Sequence, residues 1–262
     1  TAGSGGVGAT TANFVFLTIS PTISAEIRDG ADVTATNNVT VDATAHINGL
    51  AEVFGIAVGA GAGLGASIAD VLINPALSAL LGNFAVVSSL AGDITFRTTF
   101  NNGDTRRSRA QAFSGTGGIV ASSGASATAR NSPTTTTAAG SQSSVSAAGA
   151  VTFTANARLD AEAEAAGLSG GAVGIGASYA QATLAGATRS HFDGVTLHAG
   201  TNILIHASRD ADVTANSTAV AGGVLAVAVN AAKAEVSDEV RSYLLNGATV
   251  TANQNITVRG IS

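Results

Sequence analysis

A repeat of about 54 residues constrains the fold of this chain more than any other feature of its sequence. A short strand with alternating apolar residues begins at residues 39, 94, 151, 203 and 256, so successive starts lie 55, 57, 52 and 53 positions apart. The five segments read Val39-Thr40-Val41, Ile94-Thr95-Phe96, Val151-Thr152-Phe153, Ile203-Leu204-Ile205 and Ile256-Thr257-Val258. A unit of this kind cannot bury its apolar face alone and must stack on copies of itself. The repeat therefore predicts an all-β, repetitive β-solenoid of about five repeats.

Two further elements keep phase with these strands. A glycine precedes the strand by nine residues at Gly30, Gly194 and Gly247, where a tight corner needs a positive φ. A stretch rich in Gly and Ala follows the strand, as in GLGASIAD from Gly63 and GIGASYAQ from Gly174. Both alternating faces of such a stretch are small or apolar, which is typical of a strand buried on both faces. We therefore expect two closely packed sheets and a flattened cross-section.

The repeats predict one array over residues 1–262. Approximate repeat boundaries are 1–58, 59–116, 117–169, 170–221 and 222–262. Two polar segments, near 101–118 and 131–144, are interpreted as loop excursions, the second because Pro133 cannot donate to a strand ladder. Asn74-Pro75 is interpreted as the start of a short helical turn. One wide coil per repeat is favoured over two narrower coils, and the handedness stays open.

Composition excludes several classes of protein. Hydrophobic residues make up 45% of the chain and charged residues 11%, which is unlike a disordered segment. With no Cys, the chain holds no disulfide and no thiolate metal site. The net charge of −5 opposes nucleic-acid binding, and the basic cluster Arg106, Arg107 and Arg109 is interpreted as a solvated loop. The uncharged run from Ala57 to Ala69 is too rich in Gly to predict a membrane-spanning helix.

The repeats resemble those of large bacterial surface proteins. The resemblance lies in SGGAVGIGASYAQATL from Ser169, followed by GVTLHAGTNILIHA from Gly194. This arrangement is similar to the repeat arrays of filamentous-haemagglutinin-like and autotransporter-type adhesins, and the similarity extends over the whole chain. It implies export to the cell surface, a rod-like β-solenoid, and a role in attachment or fibre building. It transfers no functional residues, because the shared pattern is structural.

The leading hypothesis is therefore a structural or adhesive extracellular module that is not an enzyme. The alternative is a carbohydrate-binding or carbohydrate-active β-helix protein, which needs two or three clustered acids. The candidates for such a cluster are Arg209, Asp210, Asp212, His191 and Asp193. We interpret these residues as polar corners between strands and not as a catalytic cluster. The alternative would be excluded if no two carboxylates lay within about 10 Å on an exposed face. A third hypothesis places a ligand site in the third repeat, between Arg106 and Phe113.

No motif predicts a catalytic, cofactor or metal site. The histidines His46, His191, His198 and His206 lack the spacing of metal ligands. The glycine pairs are not followed by the Asp that calcium-binding nonapeptides require, although calcium at Asn or Asp corners stays open. The pairs are Gly5-Gly6, Gly170-Gly171 and Gly222-Gly223.

Self-association is the partner that the repeat predicts. Open solenoid ends expose unpaired N–H and C=O groups, and the last residues fall shortly before the point in the repeat at which the chain begins. Head-to-tail stacking into a filament or lateral association is expected, with a host or surface glycan as a further partner. Proline at Thr257 is expected to block growth.

Overall fold

The computed structural model describes residues 1–102, 107–245 and 247–262, which form strands and no helix. The strands pair in parallel throughout the described chain. Their bounds are β1 Ala2–Ile19, β2 Thr22–Ile27, β3 Asp32–Ala35, β4 Val39–Ala45, β5 Gly49–Ile73, β6 Ala76–Leu81, β7 Val86–Ser89, β8 Ile94–Phe100, β9 Ser108–Gly117, β10 Val120–Asn131, β11 Thr134–Ala139, β12 Ser144–Ala147, β13 Val151–Gly170, β14 Val173–Asp193, β15 Thr196–Ala199, β16 Ile203–Gly222, β17 Leu225–Leu245, β18 Thr249–Ala252 and β19 Ile256–Ile261.

The five strands predicted from the repeat stack on one another. Val39 pairs with Ile94, Ile94 with Val151, Val151 with Ile203, and Ile203 with Ile256. Each residue thus pairs with its counterpart one repeat later, and the chain advances by about 4.8 Å per repeat. This architecture of long parallel strands in stacked sheets is that of a β-solenoid.

Three faces follow one another along each repeat. The front face contains β4, β8, β9, β13, β16 and β19, the back face contains β2, β6, β10, β11, β14 and β17, and β1 and β5 each run through both faces. The short face contains β3, β7, β12, β15 and β18. Because β13 packs against β14 without pairing with it, the core lies between the front and back faces.

Side chains in the core differ in size between its two ends. Near the short face the core is aromatic: the rings of Phe96 and Phe153 stack at 4.6 Å, and Phe192 meets Phe153 edge-on at 4.5 Å. Toward the turn that joins the front and back faces the buried residues are mainly alanines, such as Ala163 and Ala180. The large side chains therefore hold the sheets apart at one end only.

At the other end, the front and back sheets approach so closely that glycine is required. A Cβ atom on Gly167 would lie 2.6 Å from the carbonyl oxygen of Ala177 across the core. A Cβ on Gly63 would likewise lie 2.5 Å from the carbonyl oxygen of Gly117. Both distances are far below van der Waals contact. The Gly- and Ala-rich stretches are therefore needed for the close approach that the sequence predicts.

The glycine corners are confirmed. Gly30, Gly194 and Gly247 have φ angles of 68°, 60° and 75°. In the two intervening repeats the same corner is formed by Phe84 and Gln142, each with a φ of 57°. These two positions were not predicted, because neither residue favours the left-handed region.

Two predicted loop excursions are largely strands, so this expectation is wrong for most of both segments. Residues 108–117 form β9, and 134–139 form β11. Ala45 pairs with Phe100, an offset of 55, whereas Gly49 pairs with Ser108, an offset of 59. The third repeat therefore has four more residues than the one before it at this point, and this insertion lies between Phe100 and Ser108.

The predicted helical turn at Asn74-Pro75 is also wrong, because Ala76–Leu81 forms β6. Pro21, Pro75 and Pro133 occupy one column, at the breaks before β2, β6 and β11. Each proline carbonyl still accepts a bond from the next repeat, from the N–H of Ala76, Thr134 and Ala187 at 2.9, 2.9 and 3.2 Å. A strand can therefore resume directly after each proline.

Candidate functional site

The residues proposed for a catalytic cluster do not come together. Arg209 points into the core from β16, and its side chain has no exposed surface. Asp210 and Asp212 lie on the outside of the front face, whereas His191 and Asp193 lie on the back face. The five residues are thus divided between the core and two outer surfaces.

Arg209 forms a buried ion pair that joins the two faces. Its Nη1 lies 2.7 Å from Oδ1 of Asp238, whose side chain is 7% exposed. The guanidinium also donates to Thr188 Oγ1 at 3.1 Å and to the carbonyls of Pro133 and Ala185 at 3.2 and 3.3 Å. Burial lowers the pKa of Arg209, and the attraction of Asp238 opposes this shift. Arg209 thus donates hydrogen bonds to buried carbonyl groups next to the proline column, and Asp238 neutralises its charge.

The structure instead assembles a different set of charged residues on the front face. We call it the arginine–carboxylate cluster, and it contains Arg107, Arg109, Asp160, Glu162 and Glu164. Arg107 Nε lies 3.2 Å from Asp160 Oδ2, and its Nη1 lies 2.7 Å from Glu162 Oε2. Arg109 lies 3.4 Å from Glu162 and 3.6 Å from Glu164. The two arginines of one repeat thus face the acids of the next.

Asp160 is the most unusual member of this cluster, because only 6% of its surface is exposed. Desolvation raises the pKa of Asp160; Arg107 opposes this shift, while Asp212 and Glu162 add to it. Since Asp160 and Glu162 contact one guanidinium, they lie well within the roughly 10 Å that a two-carboxylate mechanism spans. The condition that would have excluded a carbohydrate-active protein is therefore not met.

The sequence contains a signal for this cluster. Charges alternate with small residues in RSRAQ from Arg107 and in RLDAEAEA from Arg158, one repeat apart. Period-2 alternation places both sets on the outer face, and the repeat then brings them into contact. The interpretation of a solvated loop is therefore wrong for Arg109, which lies on β9. Arg107 precedes β9 and is exposed but ion-paired, and Arg106 lies outside the described residues.

A second polar site lies on the back face, beside the corner that leads into the short face. We call it the corner groove, and its volume is about 690 Å³. Apolar or small residues form its floor, and charged or polar residues form its walls. Its lining includes Glu26, Arg28, Asp29, Leu80, Asn83, Ala138, Ser141, His191 and Asp193.

The turn that joins the front and back faces has a different surface, which we call the apolar edge. Residues 53–69, 112–129, 165–188 and 213–232 converge there and contain no charged residue. Large apolar side chains point outward, among them Ile56, Val58 and Ile119 at 50%, 56% and 61% exposure. A patch of this kind is typical of an interaction surface.

Among the described residues, no three His, Asp or Glu side chains are arranged to hold a metal ion. His198 and His206 lie on different strands, and Nδ1 of His206 lies 3.1 Å from the carbonyl oxygen of Arg259. None of the described residues belongs to a helix of the length and apolarity that a membrane crossing requires.

Comparison with protein-family models, with curated proteins and with solved structures gives no match to this chain. Any function proposed for the chain therefore rests on its fold and its surfaces.

Proposed function

We propose that this chain is a structural or adhesive segment of an extracellular bacterial surface fibre, and not an enzyme. The observation that supports this role is the uninterrupted parallel register from Val39 through Ile94, Val151 and Ile203 to Ile256. Backbone hydrogen bonds then run along the stacking axis of the solenoid, the direction in which a fibre built from such repeats would carry its load. The resemblance to adhesin repeats agrees with this role.

The proposal includes a flattened solenoid with about five repeats, each forming one coil. Pairing partners lie between 52 positions apart, as for Val151 and Ile203, and 59 positions apart, as for Gly49 and Ser108. These offsets equal the length of one repeat, which favours one wide coil. The close approach of Gly167 to Ala177 supports flattening at the apolar edge.

Head-to-tail association is the second part of the proposal. Arg97 pairs with Asp42 between neighbouring repeats, and Arg259 occupies the column of Arg97 on the last front-face strand. If β4 of a second copy stacked on β19, Arg259 would face the Asp42 of that copy. The outer strands are thus complementary in charge as well as in backbone pattern.

Lateral association is the third part. The apolar edge presents Ile56 and Val58 on the front face and Ile175 and Val227 on the back face, each about half exposed. Burial of apolar surface contributes about 25 cal/mol per Å². Contact between two such edges would therefore favour bundling of neighbouring fibres.

Negative-stain electron microscopy over a concentration series tests the association. Proline at Thr257 is not the best variant, because the Thr257 N–H points back to β16. This follows from the bond that the Ile203 N–H donates to Asn255 O and from the alternation of a parallel ladder. The Val258 N–H faces away from β16, and Val258→Pro should shorten filaments without unfolding the chain. Val258→Ala is the control. Monodisperse particles at every concentration would refute self-association and leave only the spacer role.

A carbohydrate-active protein remains the alternative, because Asp160 combines burial with two neighbouring carboxylates. A carboxyl group with a raised pKa beside an ionised one is the arrangement that general acid–base catalysis uses. The test is the release of reducing or unsaturated ends from a panel of neutral and uronate polysaccharides. Asp160→Asn should lower the rate by about 10²-fold or more, and the exposed control Glu52→Gln should not. No release by the unmodified chain would overturn this alternative.

A further inference from the structure

The corner groove has the dimensions of a small-ligand site. Its walls stand on β2 and β14, which are separated by β6 and β11 and therefore by about 14 Å. Between these walls the outward Leu80 on β6 is followed on β11 by the much smaller Ala138, and the next floor positions are Gly82 and Gly140. The column that contains Glu26, Leu80 and His191 thus has a gap at Ala138. Leu80 and His191 stand two strand spacings apart, at about 10 Å, and a gap of this width admits one six-membered ring.

Polar groups line the groove in a fixed arrangement. Asp29 Oδ1 accepts a bond from the backbone N–H of Asn83 at 2.8 Å. Asn83 Oδ1 in turn accepts bonds from the backbone N–H and the hydroxyl of Ser141, at 3.0 and 3.1 Å. These bonds connect three repeats and hold the side chains in place. A ligand would therefore meet preorganised hydrogen-bonding groups, which reduces the entropy lost on binding.

The opposite wall holds a histidine in a defined orientation. The ring of His191 stacks on Tyr243 at a centroid distance of 5.2 Å. Its Nδ1 is buried and has no hydrogen-bond partner among the described residues. Asp193 lies beside it on the same strand and also lines the groove. This wall therefore presents the imidazole ring of His191 and the carboxylate of Asp193 to the groove.

The charges select the class of ligand. Glu26 is neutralised by Arg28, whose Nε lies 2.8 Å from Oε1. Asp29 and Asp193 remain, so the groove is negative and disfavours anions such as uronates and phosphates. Carboxylates, an amide and a hydroxyl suit a ligand rich in hydroxyl donors, and Leu80 provides an apolar contact for the C–H face of a ring.

We infer that the corner groove binds a neutral saccharide unit through its hydroxyl groups. The inference goes beyond the fibre role and does not depend on it: a chain that binds no saccharide here can still be a spacer, and one that forms no filaments can still bind. The site is distinct from the arginine–carboxylate cluster, which lies on the front face.

A glycan array that carries neutral, amino and uronate saccharides tests the inference on the full chain. We expect a signal on neutral saccharides that is lost in Ala138→Trp, because the indole fills the gap in the floor. The matched control is Thr128→Trp, on the outside of β10 and ten residues before Ala138. It adds the same side chain to the same back face outside the groove, and it should retain the signal.

Circular dichroism and thermal unfolding establish that both tryptophan variants fold. Should Ala138→Trp fail to fold, His191→Ala tests the wall instead and should weaken the same signal. The inference is overturned if no neutral saccharide binds, if only uronates bind, or if neither groove variant alters a signal on neutral saccharides.

Discussion

Removal of the Asp238 carboxylate should leave a buried charge without its counter-ion. The side chain of Arg209 is fully buried, that of Asp238 is 7% exposed, and the two lie 2.7 Å apart. A buried pair that loses one partner destabilises a protein by about 3–5 kcal/mol. We therefore expect Asp238→Ala to lower the free energy of unfolding by about 3–5 kcal/mol, a large effect for a single substitution.

The double variant Arg209→Met with Asp238→Ala should be more stable than Asp238→Ala alone. It removes both charges, and methionine retains much of the volume of the arginine stem. What it loses are the bonds to Thr188 Oγ1 and to the carbonyls of Pro133 and Ala185. Thr188 Oγ1 keeps its bond from Thr135 and Pro133 keeps its bond from Ala187, so about one unsatisfied carbonyl remains, at about 1–3 kcal/mol.

Urea unfolding followed by far-UV circular dichroism measures both effects. Asp210→Ala is the matched control, since Asp210 is adjacent to Arg209, is 74% exposed, and lies 3.8 Å from Arg158. An exposed pair contributes at most about 1 kcal/mol. If Asp238→Ala were as mild as this control, or if the double variant were no more stable than the single one, the assignment of a buried ion pair would be refuted.

Three further predictions use the same unfolding assay. Gly30→Ala should destabilise by about 1–2 kcal/mol because of its positive φ, whereas Gly170→Ala, also in open space but without that φ, should not. Gly167→Ala should destabilise by about 1–3 kcal/mol, because its Cβ would meet the Ala177 carbonyl; a loss equal to that of Gly170→Ala would contradict this. Folding raises the pKa of Asp160 above its usual 3.8, so its ionised form is destabilised. Asp160→Asn should therefore raise stability at pH 7 and have no effect below pH 3.8, and a loss at pH 7 would contradict this.

The stacking of the strands could be predicted because it depends on periodicity. Val39, Ile94 and Val151 recur at one interval, and any solenoid must place them in one ladder. The corners could be predicted only where glycine marks them. At Phe84 and Gln142 the ladders on both sides impose the left-handed conformation, and local preference is overridden.

The structure at the prolines differs from the prediction for a related reason. Because proline cannot donate to a ladder, the sequence predicts a helical turn from Asn74-Pro75 and a loop excursion around Pro133. In the structure Pro75 and Pro133 stack with Pro21 at a single break. The missing donor therefore falls at the same level in these three repeats, and the strands on either side are undisturbed.

The candidate sites depend on outward positions, which the repeat leaves free to vary. Inward residues such as Phe96 and Phe153 must fit their neighbours above and below, so their pattern repeats. Outward, the column through Leu80, Ala138 and His191 holds three unrelated side chains, and the gap at Ala138 exists only because its neighbours are larger. A solenoid can thus acquire a binding groove by one or two outward substitutions without any change in its ladder. The departures from the repeat, and not the repeat itself, are therefore where ligand-binding function should be sought.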